Sequence, residues 1–214
     1  MTSTRTSTRT RTVLAASAAL VAALTLASCA PTEPASVSEP AASAPETELN
    51  AAELAEFNEA DIMFAQMMIP HHRQAVAMSD TLLAKTGISA ETVALAEEIK
   101  AAQEPEIAQL NGLLVAWGFD EMTADDDMAG MDHSSGMMTD DDMAALDDAT
   151  GSEAERLYLE QMIEHHEGAI IMASPQIIDG ENADAVALAE AIESAQQKEI
   201  SEMKKLLAAL PAAG

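Results

Sequence analysis

The sequence predicts an all-α protein, a four-helix bundle built from two duplicated helical hairpins. Long segments rich in Ala, Leu, Met and Glu carry apolar residues at helical spacing, and Gly or Pro follows each segment. A motif in the first of these segments recurs 94 residues later with identical internal spacing. Residues 93–114 and 186–207 also match, with more than half of the aligned positions identical. Two such hairpins supply four helices that each bury one stripe, as a four-helix bundle requires.

Boundary residues define the four predicted helices. The helices are predicted over residues 50–85, 90–117, 153–173 and 182–209. The residues expected to start or stop them are Ser89 as an N-cap, Ser152 with Glu155 as a capping box, and Gly87, Gly118 and Pro175 as stops. Pro70 and Pro105 lie inside predicted helices, where each is expected to cause a kink. The first hairpin therefore covers 50–118 and the second 151–210, as one bundle domain.

The first 49 residues are predicted to direct and tether the chain. Residues 1–28 combine an Arg-containing start with a short apolar run, as in a secretory signal peptide. The run ends in Leu-Ala-Ser before Cys29, a pattern that resembles a bacterial lipobox, so Cys29 is the predicted lipidation site and membrane anchor. The alternative is a secreted protein with an incidental cysteine. Residues 29–49 are rich in Pro, Ala and Ser and are predicted to form a disordered tether.

The charge and sulfur content limit the possible partners. The formal net charge is −27, and removal of residues 1–28 takes away Arg but no acidic residue. Such an acidic surface argues against nucleic acid and favours cations as partners. The chain has 14 Met but only one Cys, one Trp and one Tyr. Any soft-metal chemistry in the predicted mature domain must therefore use methionine sulfur, while the sequence leaves the protein partner unknown.

The repeated motif gathers potential metal ligands on one helical stripe. It contains an acid, an aromatic residue, a methionine, two adjacent histidines and a second methionine. The two copies are Asp61, Phe64, Met68, His71, His72 and Met78, and then Glu155, Tyr158, Met162, His165, His166 and Met172. A single stripe of this kind is most simply core packing. Its duplication indicates that two stripes could converge on a pseudo-twofold axis, where four buried imidazoles would need partners such as a metal ion.

The ligand types favour copper over iron. Di-iron helical bundles carry Glu three residues before the ligating His, whereas both copies here carry Met at that position, Met68 and Met162. Imidazole together with thioether selects copper, chiefly Cu(I), with Cu(II) as a possibility. Asp61 and Glu155 are expected to accept hydrogen bonds from imidazole N–H groups, or to serve as hard ligands for Cu(II).

Two further groups of polar residues bear on a metal site. Residues 119–150 form a Met- and Asp-rich segment without apolar periodicity, which is predicted to be a loosely ordered loop. A second copper-binding cluster is predicted there, at Met128, Met131, His133, Met137 and Met138; the alternative is a solvated low-complexity linker. Polar residues also repeat on the second helix of each hairpin, either on an exposed face or as inward groups beside the imidazoles. They are Glu97, Gln103 and Glu106, repeated as Glu190, Gln196 and Glu199.

The motif from Phe64 to Met78, with its repeat from Tyr158 to Met172, resembles the bacterial domain-of-unknown-function family 305. The resemblance covers residues 50–210 and implies a ferritin-like four-helix bundle that is secreted or lipid-anchored, with some members that bind copper in the periplasm. It implies copper ligands at Met68, His71, His72, Met78, Met162, His165, His166 and Met172. Glu164 occupies the position of Pro70 in the second copy, so the two halves are expected to differ in shape.

The sequence therefore predicts an extracytoplasmic copper-binding lipoprotein that sequesters or delivers copper or confers resistance to it, and not an enzyme. Two alternatives stay open. One is a ferritin-like redox metalloenzyme, which would need bridging carboxylates. The other is a metal-free lipoprotein module that binds a partner protein.

Overall fold

The computed structural model describes residues 56–123 and 136–211, and within these ranges the chain is entirely helical. The five helices are α1 (Glu59–Leu83), α2 (Ala90–Ala116), α3 (Asp140–Asp148), α4 (Gly151–Asp179) and α5 (Ala183–Ala209). None of these helices is both long and apolar enough to cross a lipid bilayer. The all-α fold predicted from the sequence is thus confirmed for the described residues, which form four long helices and one short one.

Side-chain caps explain where three of the long helices begin. Asn58 caps α1 in a capping box with Asp61, and Ser89 caps α2 as predicted. Asn182 caps α5 by accepting from the backbone N–H of Ala185. The predicted capping box at the start of α4 is wrong, because α4 begins at Gly151 and its N-cap residue makes no side-chain hydrogen bond.

The prolines lie within continuous helices. Pro70 and Pro105 are inside α1 and α2. The prediction that Pro175 ends the third long helix is wrong, since α4 continues to Asp179. Proline removes one backbone hydrogen bond, but the buried face of α4 continues past it to Gln176. The burial of α4 residues beyond Pro175 thus outweighs the tendency of proline to end the helix.

The four long helices pack as two hairpins joined along α1 and α4. The most extensive packing is α4 with α5 and α1 with α2, followed by α1 with α4. The buried apolar residues form two clusters, one at each end of the α1–α4 seam. Phe64 and Met68 belong to the first cluster and Tyr158 and Met162 to the second, so each cluster contains one copy of the duplicated aromatic and methionine positions.

Each hairpin also caps a helix of the other hairpin. The Asp61 carboxylate on α1 accepts from the backbone N–H groups of Glu181 and Asn182 at the start of α5. The Glu155 carboxylate on α4 accepts from the backbone N–H of Ser89 and the hydroxyl of Thr92 at the start of α2. A carboxylate at a helix N-terminus stabilises the unpaired N–H groups and the helix dipole. Asp61 and Glu155 therefore connect the two hairpins, because each carboxylate caps a helix of the other hairpin.

Helix α3 lies in a segment where the sequence predicts none. Thr139 and Asp142 form a capping box at its start, and Leu146 is fully buried in the second cluster. Its nine residues carry a single buried apolar side chain, which is too little for a detectable period. The prediction of a loosely ordered loop over the whole of 119–150 is therefore wrong for residues 140–148.

Candidate metal centre

The duplicated histidines meet where α1 crosses α4. The imidazole ring centroids of His71 and His165 are 3.7 Å apart with an interplanar angle of 35°, and both side chains are fully buried. Rings this close contact one another through their faces, so an ion bound by both would lie at the nitrogen-bearing edges. The convergence of the two stripes that the duplication predicts is thus present for this histidine pair.

The second histidine of each copy is held by a glutamate from the neighbouring helix. His72 Nε2 lies 2.8 Å from Glu106 Oε2, and His166 Nε2 lies 2.7 Å from Glu199 Oε2. An ionised carboxylate only accepts, so Nε2–H is the donor, and in a neutral imidazole Nδ1 then keeps its lone pair. The Nδ1 atoms of His72 and His166 are buried and make no hydrogen bond. A neutral imidazole held in this way can offer Nδ1 to a metal ion in a fixed orientation.

His165 is held neutral by its surroundings. Burial lowers the pKa of His165 well below its usual value, and the nearby imidazoles of His71, His166 and His72 lower it further. A hydrogen bond with the backbone of His71 acts in the opposite direction but is the smallest of these effects. A neutral imidazole with an available lone pair is the form that binds a metal.

The predicted thioether ligands divide between the two ends of the seam. Met68 and Met172 belong to the first core cluster, and Met78 and Met162 to the second. Each end thus combines the methionine before the histidines of one copy with the methionine after the histidines of the other. Met68 is one helical turn from His71, whereas Met172 is seven residues, or about 10 Å, from His165 along α4. The eight predicted residues therefore cannot all ligate one ion.

The nature of the donors favours a soft ion. Within residues 56–123 and 136–211, no three His, Cys, Asp or Glu side chains are arranged to hold one metal ion. Met68, Met78 and Met162 are fully buried, so the available set of imidazole and thioether suits Cu(I) better than a hard divalent ion.

Asp61 and Glu155 lie away from the imidazoles. Both sit ten residues before their histidine pair, about 15 Å along the helix. Their oxygens accept the capping hydrogen bonds described above, and Asp61 also accepts from Gln176 Nε2 at 2.5 Å. The prediction that these acids accept from imidazole N–H is therefore wrong, and Glu106 and Glu199 have that role instead. The only sequence signal for this role of Glu106 and Glu199 is that they occupy equivalent positions on the second helix of each hairpin.

The other repeated polar residues have different environments. Glu97 and Glu190 are exposed on the outer face. Gln103 and Gln196 are buried, one turn before Glu106 and Glu199 respectively, and each has at least one amide atom without a hydrogen bond. Of the two alternatives that the sequence leaves open, an exposed face holds for Glu97 and Glu190, and an inward position holds for Gln103 and Gln196.

Both described ends of the Met- and Asp-rich segment are bound to α1 directly after the histidines. Arg73 donates to the carbonyl oxygens of Met122 and Thr123. Gln74 Nε2 donates to the Met138 carbonyl, and Gln74 Oε1 accepts from the Met138 N–H at 2.7 Å. Met137 and Met138 are buried. The other predicted residues of that cluster, Met128, Met131 and His133, lie outside the described residues, as does Cys29.

Comparison with known proteins identifies the family. The family model described as "Domain of unknown function (DUF305)" matches residues 61–207. The chain therefore belongs to the DUF305 family, as its motif predicts. A comparison with curated protein sequences found no match.

Solved structures of similar proteins include two of this family. A DUF305 fragment from Deinococcus radiodurans is 26% identical, covers 72% of this chain and 99% of its own, and has a TM-score of 0.64. A DUF305 protein from Streptomyces coelicolor, described as a candidate secreted protein, is 34% identical with a TM-score of 0.60, and the match covers 70% of this chain and 91% of its own.

A third similar protein, CopM, has been solved with metals. Its Cu(II)-bound form is 30% identical, with a TM-score of 0.60 and a match that covers 69% of this chain and 95% of CopM. The Cu(I)-bound form is 28% identical with a TM-score of 0.58, over 68% and 94% of the two chains. CopM has also been solved with silver bound.

Proposed function

We propose that this protein binds copper outside the cytoplasm, chiefly as Cu(I), to sequester or deliver it or to confer resistance, without catalytic turnover. The observation that carries the proposal is the buried pair His71 and His165, flanked by His72 and His166, whose Nδ1 atoms are held available by Glu106 and Glu199. The buried Nδ1 atoms of His72 and His166 make no hydrogen bond, which is costly, and a bound ion would supply the missing interaction.

The similar protein CopM supports the choice of metal. CopM binds Cu(I), Cu(II) and silver, and Cu(I) and Ag(I) are both soft ions that accept thioether and imidazole. Here Met68 on α1 and Met162 on α4 each lie one helical turn before the histidines of their own helix. We therefore assign Met68, His71, His72, Met162, His165 and His166 to the central site, in which each ion takes at most two imidazoles together with thioether sulfur, and we place Met78 and Met172 further along the seam.

The proposal includes the location and the architecture. The four long helices form a ferritin-like bundle, and Cys29 carries the lipid that anchors the chain to the membrane after the signal peptide is removed. The secreted description of the Streptomyces coelicolor protein supports an extracytoplasmic position. A second copper-binding cluster at Met128, Met131, His133, Met137 and Met138 is part of the proposal; of these, Met138 is hydrogen-bonded to Gln74 of α1, two residues after His72.

The test is anaerobic Cu(I) titration of the mature protein against a competing chelator. We expect tight binding that is lost when His71, His72, His165 and His166 are replaced together by Ala. The matched control replaces only the fifth histidine by His133→Ala, which retains the central site. Binding in the four-alanine variant equal to wild type would refute the assignment.

Two further measurements address the alternatives. A redox metalloenzyme would consume oxygen after iron loading, which we do not expect. A metal-free interaction module would show the same melting temperature with and without Cu(I), whereas a ligand bound tightly to the native state raises it. Circular dichroism of the four-alanine variant shows whether lost binding reflects lost fold.

A further inference from the structure

The duplication gives the α1–α4 seam two equivalent positions, one beside Phe64 on α1 and the other beside its repeat, Tyr158 on α4. Their surroundings differ. Helix α3 packs at the position beside Tyr158, and a groove is open at the position beside Phe64.

Helix α3 covers the position beside Tyr158. Leu146 of α3 is fully buried in the same cluster as Tyr158 and Met78. Gln161 Nε2 donates to the carbonyl of Asp142 at 3.0 Å, which fixes α3 to α4. Leu157 is partly buried against this cluster. The residues that face α3 from α4 are thus ordinary packing and hydrogen-bonding groups.

The groove at the equivalent position beside Phe64 is open and lined by methionine. It has a volume of about 440 Å³ and its lining includes Met63, Phe64, Met67 and Met172. Met63 and Met67 correspond in the duplication to Leu157 and Gln161 at the covered position. Met63 is 52% exposed, and Met67 and Met172 are partly exposed. The open groove therefore presents three solvent-accessible thioethers from two helices.

We propose that Met63, Met67 and Met172 form a surface site through which Cu(I) enters the buried centre. This inference rests on the proposed function, because it names the route to that site. Met63 and Met67 are four residues apart and so lie on the same face of α1, with Met172 opposite on α4. Methionine side chains are unbranched and flexible, which allows three sulfurs to gather around one ion in a roomy groove.

Further thioether groups lie between this groove and the histidines. Met172 lines the groove and also packs against the core cluster that contains Met68. Met68 is fully buried and one helical turn from His71. Thioethers bind Cu(I) without losing a proton, so the ion can exchange from one sulfur to the next with no change in protonation. At the other end of the seam, α3 packs over the equivalent positions, so the open groove is the direct route.

An apolar partner protein is the competing occupant of the groove, since exposed Ile171 and Met63 would also suit such a partner. The two occupants are separated by Met63→Leu with Met67→Leu. Leucine keeps the apolar character and approximate volume but removes the sulfur. A docking surface would tolerate this double substitution, whereas a Cu(I) site would not. Met143→Leu, which removes a partly buried thioether from α3, is the control.

The experiment follows Cu(I) addition to protein labelled with ¹³C at the methionine methyl groups and ¹⁵N at histidine, under anaerobic conditions. We expect Cu(I) to shift the methyl signals of Met63, Met67 and Met172 in the wild type and in Met143→Leu. In the double variant the shift at Met172 should be lost and transfer to the histidines slowed, while the final change in the histidine signals stays the same.

The two proposals give different results in this experiment. Histidine signals that move without any response at Met63, Met67 and Met172 overturn the entry site and leave the proposed function intact. Methyl shifts in the groove without a histidine response overturn the central site, and with it the role of the groove as an entry to that site. An unchanged Met172 shift in the double variant overturns the entry site as well.

Discussion

His71 and His165 face each other across the α1–α4 seam with ring centroids 3.7 Å apart, and neither ring is exposed to solvent. A second positive charge at this distance would be strongly unfavourable in a site shielded from water. The native apo protein therefore holds His165 neutral, and the pairing connects metal binding and stability to pH.

We predict that the apo protein loses stability as the pH falls below about 6.5. The pKa of His165 is lowered in the folded state, so the unfolded chain binds a proton that the folded chain does not. The contribution is fully present above the unfolded pKa. Below it, stability falls by about 1.4 kcal/mol per pH unit for one proton.

Urea unfolding of apo protein at pH 7.5, 6.5 and 5.5 measures this effect. The matched variant is His165→Gln, which cannot titrate and should show a smaller decrease in the free energy of unfolding over that range. Equal pH dependence in the wild type and the variant would show that His165 does not contribute.

Replacing Glu106 and Glu199 together by Gln should weaken Cu(I) binding by roughly 10–100-fold, as loss of a group that orients a ligand does. An amide can donate to Nε2 as well as accept from it, so the proton of His72 and His166 would no longer be fixed there. Glu97→Gln with Glu190→Gln, at exposed repeated positions on the same helices, is the control.

Histidine ¹⁵N spectra of the apo protein give a second measurement that needs no copper. The wild type should show the Nε2–H form at His72 and His166, and the Gln variant a mixture of forms. A wild-type spectrum with the proton on Nδ1 would contradict the assignment of the donor atom.

The fold and the central histidines could be predicted from the sequence because duplication makes a weak signal specific. One Met-x-x-His-His stripe is compatible with ordinary core packing, whereas two copies on equivalent helices indicate a shared axis. The contact of His71 with His165 follows from that symmetry. The resemblance to the family rests on the same residues, and the family is confirmed.

The acidic residues show why the remainder could not be predicted. A helical projection shows only the angle around the axis, so it places Asp61 and His71 on the same stripe although they are about 15 Å apart along the axis. The projection therefore suggests that Asp61 neighbours the imidazole, whereas in the structure Asp61 caps α5. Helix α3 could not be predicted for another reason: its one buried apolar side chain, Leu146, packs in the cluster that contains Tyr158 and Leu159, and such tertiary packing leaves no local period.

Asp61→Asn should destabilise the protein by roughly 1–3 kcal/mol, because buried N–H groups lose their charged acceptor, and should leave Cu(I) stoichiometry unchanged. Burial alone would raise the pKa of Asp61, but hydrogen bonds from Gln176 and from the backbone of Asn58, Glu181 and Asn182 lower it overall. Its contribution is thus present above pH 3.8 and lost as the pH falls through the lowered pKa.

Chemical denaturation of Asp61→Asn at pH 7, together with a Cu(I) titration, checks this prediction. Exposed Asp120→Asn serves as the control. A variant of normal stability that binds less copper would restore Asp61 as a ligand.

Gly136→Ala should release the segment before α3 from the bundle. Gly136 has φ +76°, and an added Cβ would lie 2.5 Å from the Glu164 carbonyl oxygen and 3.0 Å from Gly168 Cα. Both contacts are with helix backbone, which cannot move aside, so we expect a loss of about 1–3 kcal/mol and faster amide exchange at Met138, whose N–H is held by Gln74. Gly112→Ala is the matched control, because Gly112 lies inside α2 with no atom near an added Cβ, and it should stabilise the protein by about 0.5–1 kcal/mol. Equal stability and exchange in the two variants would show that residues 136–138 are not fixed by this close approach to α4.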